Sequence, residues 1–159
     1  MPRSGKVKKR PIASDPIYNH RLVTRLINRV MRGGKKSIAQ KQVYQAFEEV
    51  EKKTGRPSLE IFLQAIENIK PSVEVRPRRI GGAAYQVPLP VRGDRRESLA
   101  IRWLIQAARS KSNKEHHHFW LKLASEIIEA AKGEGIAIQK KKDIHRLAEA
   151  NRAFAHFRW

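Results

Sequence analysis

Val73-Glu74-Val75-Arg76-Pro77-Arg78-Arg79-Ile80-Gly81-Gly82-Ala83-Ala84-Tyr85-Gln86-Val87-Pro88-Leu89-Pro90-Val91-Arg92 breaks the pattern of the chain around it. Val73 and Val75 open an alternation that runs through Ile80, and Gly81-Gly82 can turn. Tyr85, Val87, Leu89 and Val91 then stand at strict period two, which predicts a β-hairpin. Pro77, Pro88 and Pro90 cannot donate to a ladder, so the ribbon needs exposed edges and does not lie inside a larger sheet. Two strands alone bury little and are marginal in water. A hairpin bearing Arg76, Arg78 and Arg79 therefore reads as an arm that projects and grips a partner.

On either side of this stretch the apolar period becomes helical. Upstream, Leu22, Leu26 and Val30 stack at i, i+4 and i+8, with Val23 and Ile27 beside them and Gly33-Gly34 ending the run. Ser37 is expected to cap a second helix with Ile38, Val43, Ala46, Phe47 and Val50, ending at Gly55. Pro57 and Ser58 open a third with Leu59, Phe62, Leu63, Ile66 and Ile69, stopped by Pro71. Downstream, Asp94 to Glu97 resembles a capping box before Leu99, Trp103 and Ala107. A fifth helix is predicted from about residue 115 to 132, and a sixth from about 141 to 157 using Ile144, Leu147, Ala148, Asn151 and Phe154. No internal repeat argues for a solenoid. The expected fold class is mainly α: a bundle of about six helices with one protruding β-hairpin arm. Residues 15–159 read as a single domain with the hairpin at about 73–92, and residues 1–14 as a flexible basic N-terminal extension.

Composition narrows the function. The 159 residues carry 34 Lys and Arg against 15 Asp and Glu, a net charge of +19, while 40% hydrophobic residues supply a core. The absence of cysteine excludes a disulfide framework, a Cys-ligated zinc site and thiol catalysis. No apolar run approaches the length of a membrane span, and the basic N-terminus lacks both the h-region of a secretory signal and the amphipathic face of a transit peptide. No membrane partner is expected. The charge is uneven: residues 1–36 hold 11 basic and 1 acidic side chains, whereas residues 37–72 hold 5 of each. Basic blocks recur at 73–96 and 136–159, so a binding surface built on a neutral scaffold is expected, with nucleic acid the leading partner. Arg21, Arg25, Arg29 and Arg32 form a stripe at helical spacing; with no acid among them they repel unless a phosphate lies along the face.

Sharper chemistry fares poorly. Gly33-Gly34-Lys35-Lys36-Ser37 superficially suggests a phosphate loop, but a helix precedes it and Met31-Arg32 stand where the loop glycines belong. A helix-to-helix turn whose lysines face phosphate accounts for it better. His116, His117 and His118 are consecutive, so on a helix they diverge by about 100° each and cannot share one ion. No metal and no cofactor is expected. His145 lies near Asp143 without an identified serine, and no enzyme is expected. Phe154 fits the helical stripe as core; Phe157 and Trp159 either stack on bases or fold back onto the body, and the sequence leaves both open.

Several long motifs, taken in order, resemble one family: Gly34-Lys35-Lys36-Ser37, Val73 through Gly82, Tyr85-Gln86-Val87-Pro88, Ala100-Ile101-Arg102-Trp103, and His145 through His156. The chain resembles small-subunit ribosomal protein seven of the bacterial and plastid type over nearly its whole length. The resemblance implies a helical bundle with a protruding hairpin, a structural constituent of the small ribosomal subunit in a bacterial cytoplasmic or plastid ribosome. It implies direct binding to the 3′ major domain of small-subunit ribosomal RNA and nucleation of head assembly. It also implies neighbouring head and platform ribosomal proteins, and proximity to exit-site transfer RNA and messenger RNA. Carried onto this sequence, the RNA contacts fall on Arg3, Lys6, Lys8, Lys9, Arg10, Lys35, Lys36, Arg76, Arg78 and Arg79, with Arg92, Arg95 and Arg96 at the hairpin base. The stripe adds Arg25, Arg29 and Arg32. Gly81, Gly82 and Tyr85 would approach the exit site. Ala83-Ala84 replaces the Ser-Thr more usual in the family, and His116 to Trp120 is bulkier than usual.

Overall fold

The apolar stripes of the sequence become the buried faces of helices. The computed structural model describes residue 5 and residues 11–157. Within them the order is α1 (Arg21–Val30), α2 (Lys36–Thr54), α3 (Ser58–Ile69), β1 (Val73–Ile80), β2 (Ala83–Pro90), α4 (Gly93–Ser110), α5 (Phe119–Ala131), α6 (Ile136–Ala150) and a 3₁₀ helix, Arg152–Phe157. The flexible extension expected at the N-terminus falls mostly outside the described residues.

The fifth helix is central. α5 packs against α2, α3 and α4, and its Leu123, Ala124, Ile127 and Ala130 are fully buried, the alanines letting neighbouring backbones come close. α1 buries Leu22, Val23, Leu26, Ile27 and Val30 as its spacing predicts. Phe47 of α2 meets Phe62 of α3 with ring centroids 5.3 Å apart, and Tyr18 packs edge-on against Phe47. Ahead of α1, the buried Asp15 accepts backbone N–H bonds from Ile17 and Tyr18 and the hydroxyl of Tyr44, tying the chain's entry to α2.

Several local predictions are corrected by tertiary contacts. Ser37 does not cap α2: the helix begins at Lys36 with Lys35 at the N-cap and no side-chain cap bond, and Ile38 points outward at 57% exposure. The capping box at residues 94–97 does not form, because Glu97 turns to the arginines of α1 instead. α5 starts at Phe119 rather than near residue 115. The preceding loop is held in another shape by Lys122, whose Nζ donates to the Lys111 carbonyl (2.6 Å) and to Asn113 Oδ1 (2.5 Å). α6 starts five residues earlier than predicted. Its N-terminus is capped from α5: Glu126, wholly buried, accepts the N–H of Ala137 at 2.8 Å and pairs with Lys111 at 3.2 Å. Gly135 makes this possible, with φ at 90° and room for only a hydrogen 3.0 Å from Glu126 Oε1.

The end of the chain differs most. α6 stops at Ala150, where the Asn151 side chain donates to the Leu147 carbonyl, and the remainder winds as 3₁₀ helix. Asn151 and Phe154 are thus not core positions, and Leu147 is 48% exposed; α6 buries Ala137, Ile138 and Ala148 instead.

The hairpin pairs in the register Val73↔Pro90 to Ile80↔Ala83, closed by Gly81 and Gly82 with φ of 55° and 89°, both positive as a type I′ turn requires. Its distal part is exposed, but the arm is not isolated. Glu74 and Val87 near its root are buried, and it packs against α6 and the 3₁₀ helix, where Tyr85 meets Phe154 and Phe157 at 5.1 and 5.5 Å. That contact also resolves Phe157: it packs on the arm.

Candidate nucleic-acid interface

Because α1 spends its apolar stripe on the core, its arginines stand on the opposite side. There Arg21, Arg25 and Arg29 line a groove with Asn28, with Asp94, Ser98 and Ile101 of α4, and with Pro11 and Ile12. The described end of the basic N-terminal segment therefore runs along this groove. Mutual repulsion within the stripe is relieved in part by acids contributed from α4. Glu97 pairs with Arg21 at 3.3 Å and with Arg25, and Asp94 stands 3.6 Å from Arg25. Arg29 and Arg32, farther along, are exposed.

At the C-terminal end of α1 the positive charge concentrates. Arg32, Lys35 and Arg109 line a second groove with Ile38, Gln42 and Phe119, and no carboxylate is among its described lining residues. The Arg109 guanidinium donates to the Val30 carbonyl at 3.1 Å. Burial, then the charges of Arg32 and Arg29, lower its pKa from the ordinary value, which marks a site where another cation is unwelcome and an anion welcome. Arg109 lay outside the sequence-based candidates; nothing local distinguishes it, and only the fold brings it to α1.

Toward the hairpin, a third groove is lined by Glu74, Arg76, Leu89, Pro90, Arg92, Asp94, Arg95 and Ser98. Asp94 and Ser98 belong to both this groove and that of α1, so the arginines of α1, of α4 and of the hairpin root form one continuous face. Glu74 lies within it. Burial works to raise its pKa, but hydrogen bonds from Arg95 and Arg76 prevail and hold its carboxyl below the usual value.

A family model described as ribosomal protein S7p/S5e matches residues 2–152. The small ribosomal subunit protein uS7 of Caldicellulosiruptor saccharolyticus is 57% identical over 159 residues, which is the whole of both chains. That of Carboxydothermus hydrogenoformans is 54% identical over the same span, and that of Fervidobacterium nodosum 54% over 157 residues, 99% of each chain. The chain belongs to the ribosomal protein S7p/S5e family. It is a protein of the small ribosomal subunit, and the family is one of ribosomal structural proteins, not of enzymes.

Not every candidate residue of this S7p/S5e chain joins the continuous face. Arg96 points to its other side, donating to the Pro71 carbonyl at 2.9 Å near Glu67 and Lys141. Lys36 is exposed at the start of α2 but does not line the three grooves. Arg78 and Arg79 lie on the arm, beyond its root, with Gly81 and Gly82 at the tip; Tyr85 is half-buried against the 3₁₀ helix. Arg3, Lys6, Lys8, Lys9 and Arg10 lie outside the described residues, as does Trp159. His118 stacks on Trp120 with a 9° interplanar angle, and among the described residues no group of His, Asp and Glu is placed to hold a metal. His145 has a serine neighbour after all: Ser72 Oγ is 3.4 Å from its Nε2. The nearby Asp143 is turned to Gln139 and Arg146, so no relay forms.

Proposed function

We propose that this small-subunit protein binds ribosomal RNA directly, holding the 3′ major domain on the continuous basic face of α1, α4 and the hairpin root. The observation that carries the proposal is the merging of two arginine-lined grooves through Asp94 and Ser98, which joins residues 21–29 to residues 76–95 of the sequence. Basic blocks distant in the chain then meet RNA segments distant in theirs. Binding releases counterions and fixes a multihelix junction, so the protein acts as a scaffold that nucleates the head of the subunit. In the assembled bacterial ribosome, head and platform proteins are its neighbours. The arm carries Gly81, Gly82 and the adjoining Tyr85 toward the exit-site transfer RNA and the messenger.

Binding of the full chain to a transcript of the 3′ major domain, with backbone footprinting, tests this. Protected sites scattered in the RNA sequence and weak competition by duplex DNA are the expected result. Equal competition by duplex DNA would instead favour an architectural DNA-bending protein, whose basic arms also enter minor grooves. Absence of protection at high protein concentration would overturn RNA binding altogether.

A further inference from the structure

Glu74 is a carboxylate in the wrong place for simple electrostatics. It is the second residue of β1, only 8% exposed, and sits inside the face that must attract a polyanion. On charge alone it opposes RNA binding. Its bonds show what it does instead. Arg95 of α4 donates from Nε to both carboxylate oxygens (2.9 and 2.7 Å), and its Nη2 is 2.7 Å from Oε2. Arg76, two residues along the same face of β1, donates from Nε to Oε1 at 2.7 Å. One buried acid thus holds guanidiniums from the arm and from the body side by side. Two such cations repel when brought together; the carboxylate between them makes the arrangement stable and leaves their outer N–H groups unspent. Both arginines remain about half exposed, at 51% and 47% of their side-chain surface, toward the groove shared with Arg92. A planar fork of this kind matches the paired oxygens of a phosphate.

Building on the RNA-binding reading above, we propose that Glu74 is a positioning residue that sets Arg76 and Arg95 as a two-guanidinium clamp for one RNA phosphate and locks the arm's root to α4. The hairpin alone does not fix its own angle, since its two strands bury little. The Glu74–Arg95 bridge ties the strand to a helix anchored in the core by Leu99 and Trp103. Removing the negative charge of Glu74 then weakens binding to RNA, the reverse of what net charge predicts.

Glu74→Gln keeps the shape and adds one positive charge. Binding of the full chain to the 3′ major domain transcript across a salt series is expected to weaken about tenfold. The slope of log K against log salt should become shallower by about one to two units, since a correctly placed phosphate contact contributes roughly 0.7 to 0.9 each. Footprints belonging to the body persist while those of the arm fade. Arg95→Lys leaves the charge count and the buried acid intact but removes the fork, and is expected to weaken binding in the same way. Combining the two should add little further loss, as for members of one unit. Tighter or equal binding by Glu74→Gln with a steeper slope overturns the positioning role while leaving RNA binding standing. Failure of the unaltered chain to bind the transcript overturns the reading beneath it.

Discussion

His145 shows how far one side chain can be understood from its partners. The Ser72 N–H, at the junction of α3 and β1, donates to its Nε2 at 3.2 Å, so that nitrogen must carry a lone pair and the ring must be neutral. Burial first, and then the charge of Lys141, lower its pKa from the ordinary 6.5. A base with a depressed pKa in the fold contributes stability that is fully present above the unfolded value and is lost as pH falls through the folded one. The thermal midpoint is therefore expected to drop between about pH 7.5 and about pH 5.5. In His145→Gln, whose amide oxygen can accept the same N–H without titrating, melting curves should show a smaller drop. An identical drop in that variant would mean other groups set the pH response. None of this was legible in the sequence. Asp143 stands two positions away and looks like a partner; the actual partner is a backbone amide 73 residues off. The same is true of Arg25, whose acid comes from residue 97, and of Arg109, which no neighbouring motif marks.

Among the elements, those defined by their own residues were readable and those defined by contact were not. The period of two and the paired glycines dictate the hairpin, and the helical stripe of α1 dictates its buried face. The ends of α5 and α6 depend on Lys122 and Glu126, which reach across loops, so periodicity alone misplaces them by four and five residues. The 3₁₀ helix is a further case: the apolar period runs on through Phe154, but Asn151 bonds back to Leu147 and ends the α-helix. The displaced aromatics then support the arm. Tyr85 lies between Phe154 and Phe157, and each such ring pair is worth roughly 0.5–1.5 kcal/mol beyond its buried area. Tyr85→Ala is accordingly expected to speed amide hydrogen exchange in β2 by about tenfold while leaving α1 to α5 unchanged. Unchanged exchange in β2 would show that the rings touch the arm without holding it.

For the whole molecule, charge is the organising quantity. Residues 37–72, with 5 basic and 5 acidic side chains, fold into α2 and α3, which pack on each other and on α5, while the basic stretches on either side supply the grooves. The composition showed that a polyanion would be the partner, but not which arginines would share a surface, since that depends on α1 and the hairpin root both meeting α4. Arg96 illustrates the difference: adjacent to Arg95 in sequence, it turns to Pro71 on the other side. The N-terminal segment enters the same logic through Pro11 and Ile12, which line the α1 groove, so the cluster Lys8-Lys9-Arg10 is attached directly to the basic face. If those three side chains neutralise phosphates, each adds about 0.7 to 0.9 to the magnitude of the salt slope. Replacing all three by alanine is expected to flatten the slope of log K against log salt by about two units and to leave the thermal midpoint of the body unchanged. A slope equal to that of the unaltered chain would mean that the segment's charge raises the general potential around the protein without touching RNA. A flattened slope with footprints lost at one RNA segment would assign that segment to the tail, as a contact separate from those of the grooves and the arm.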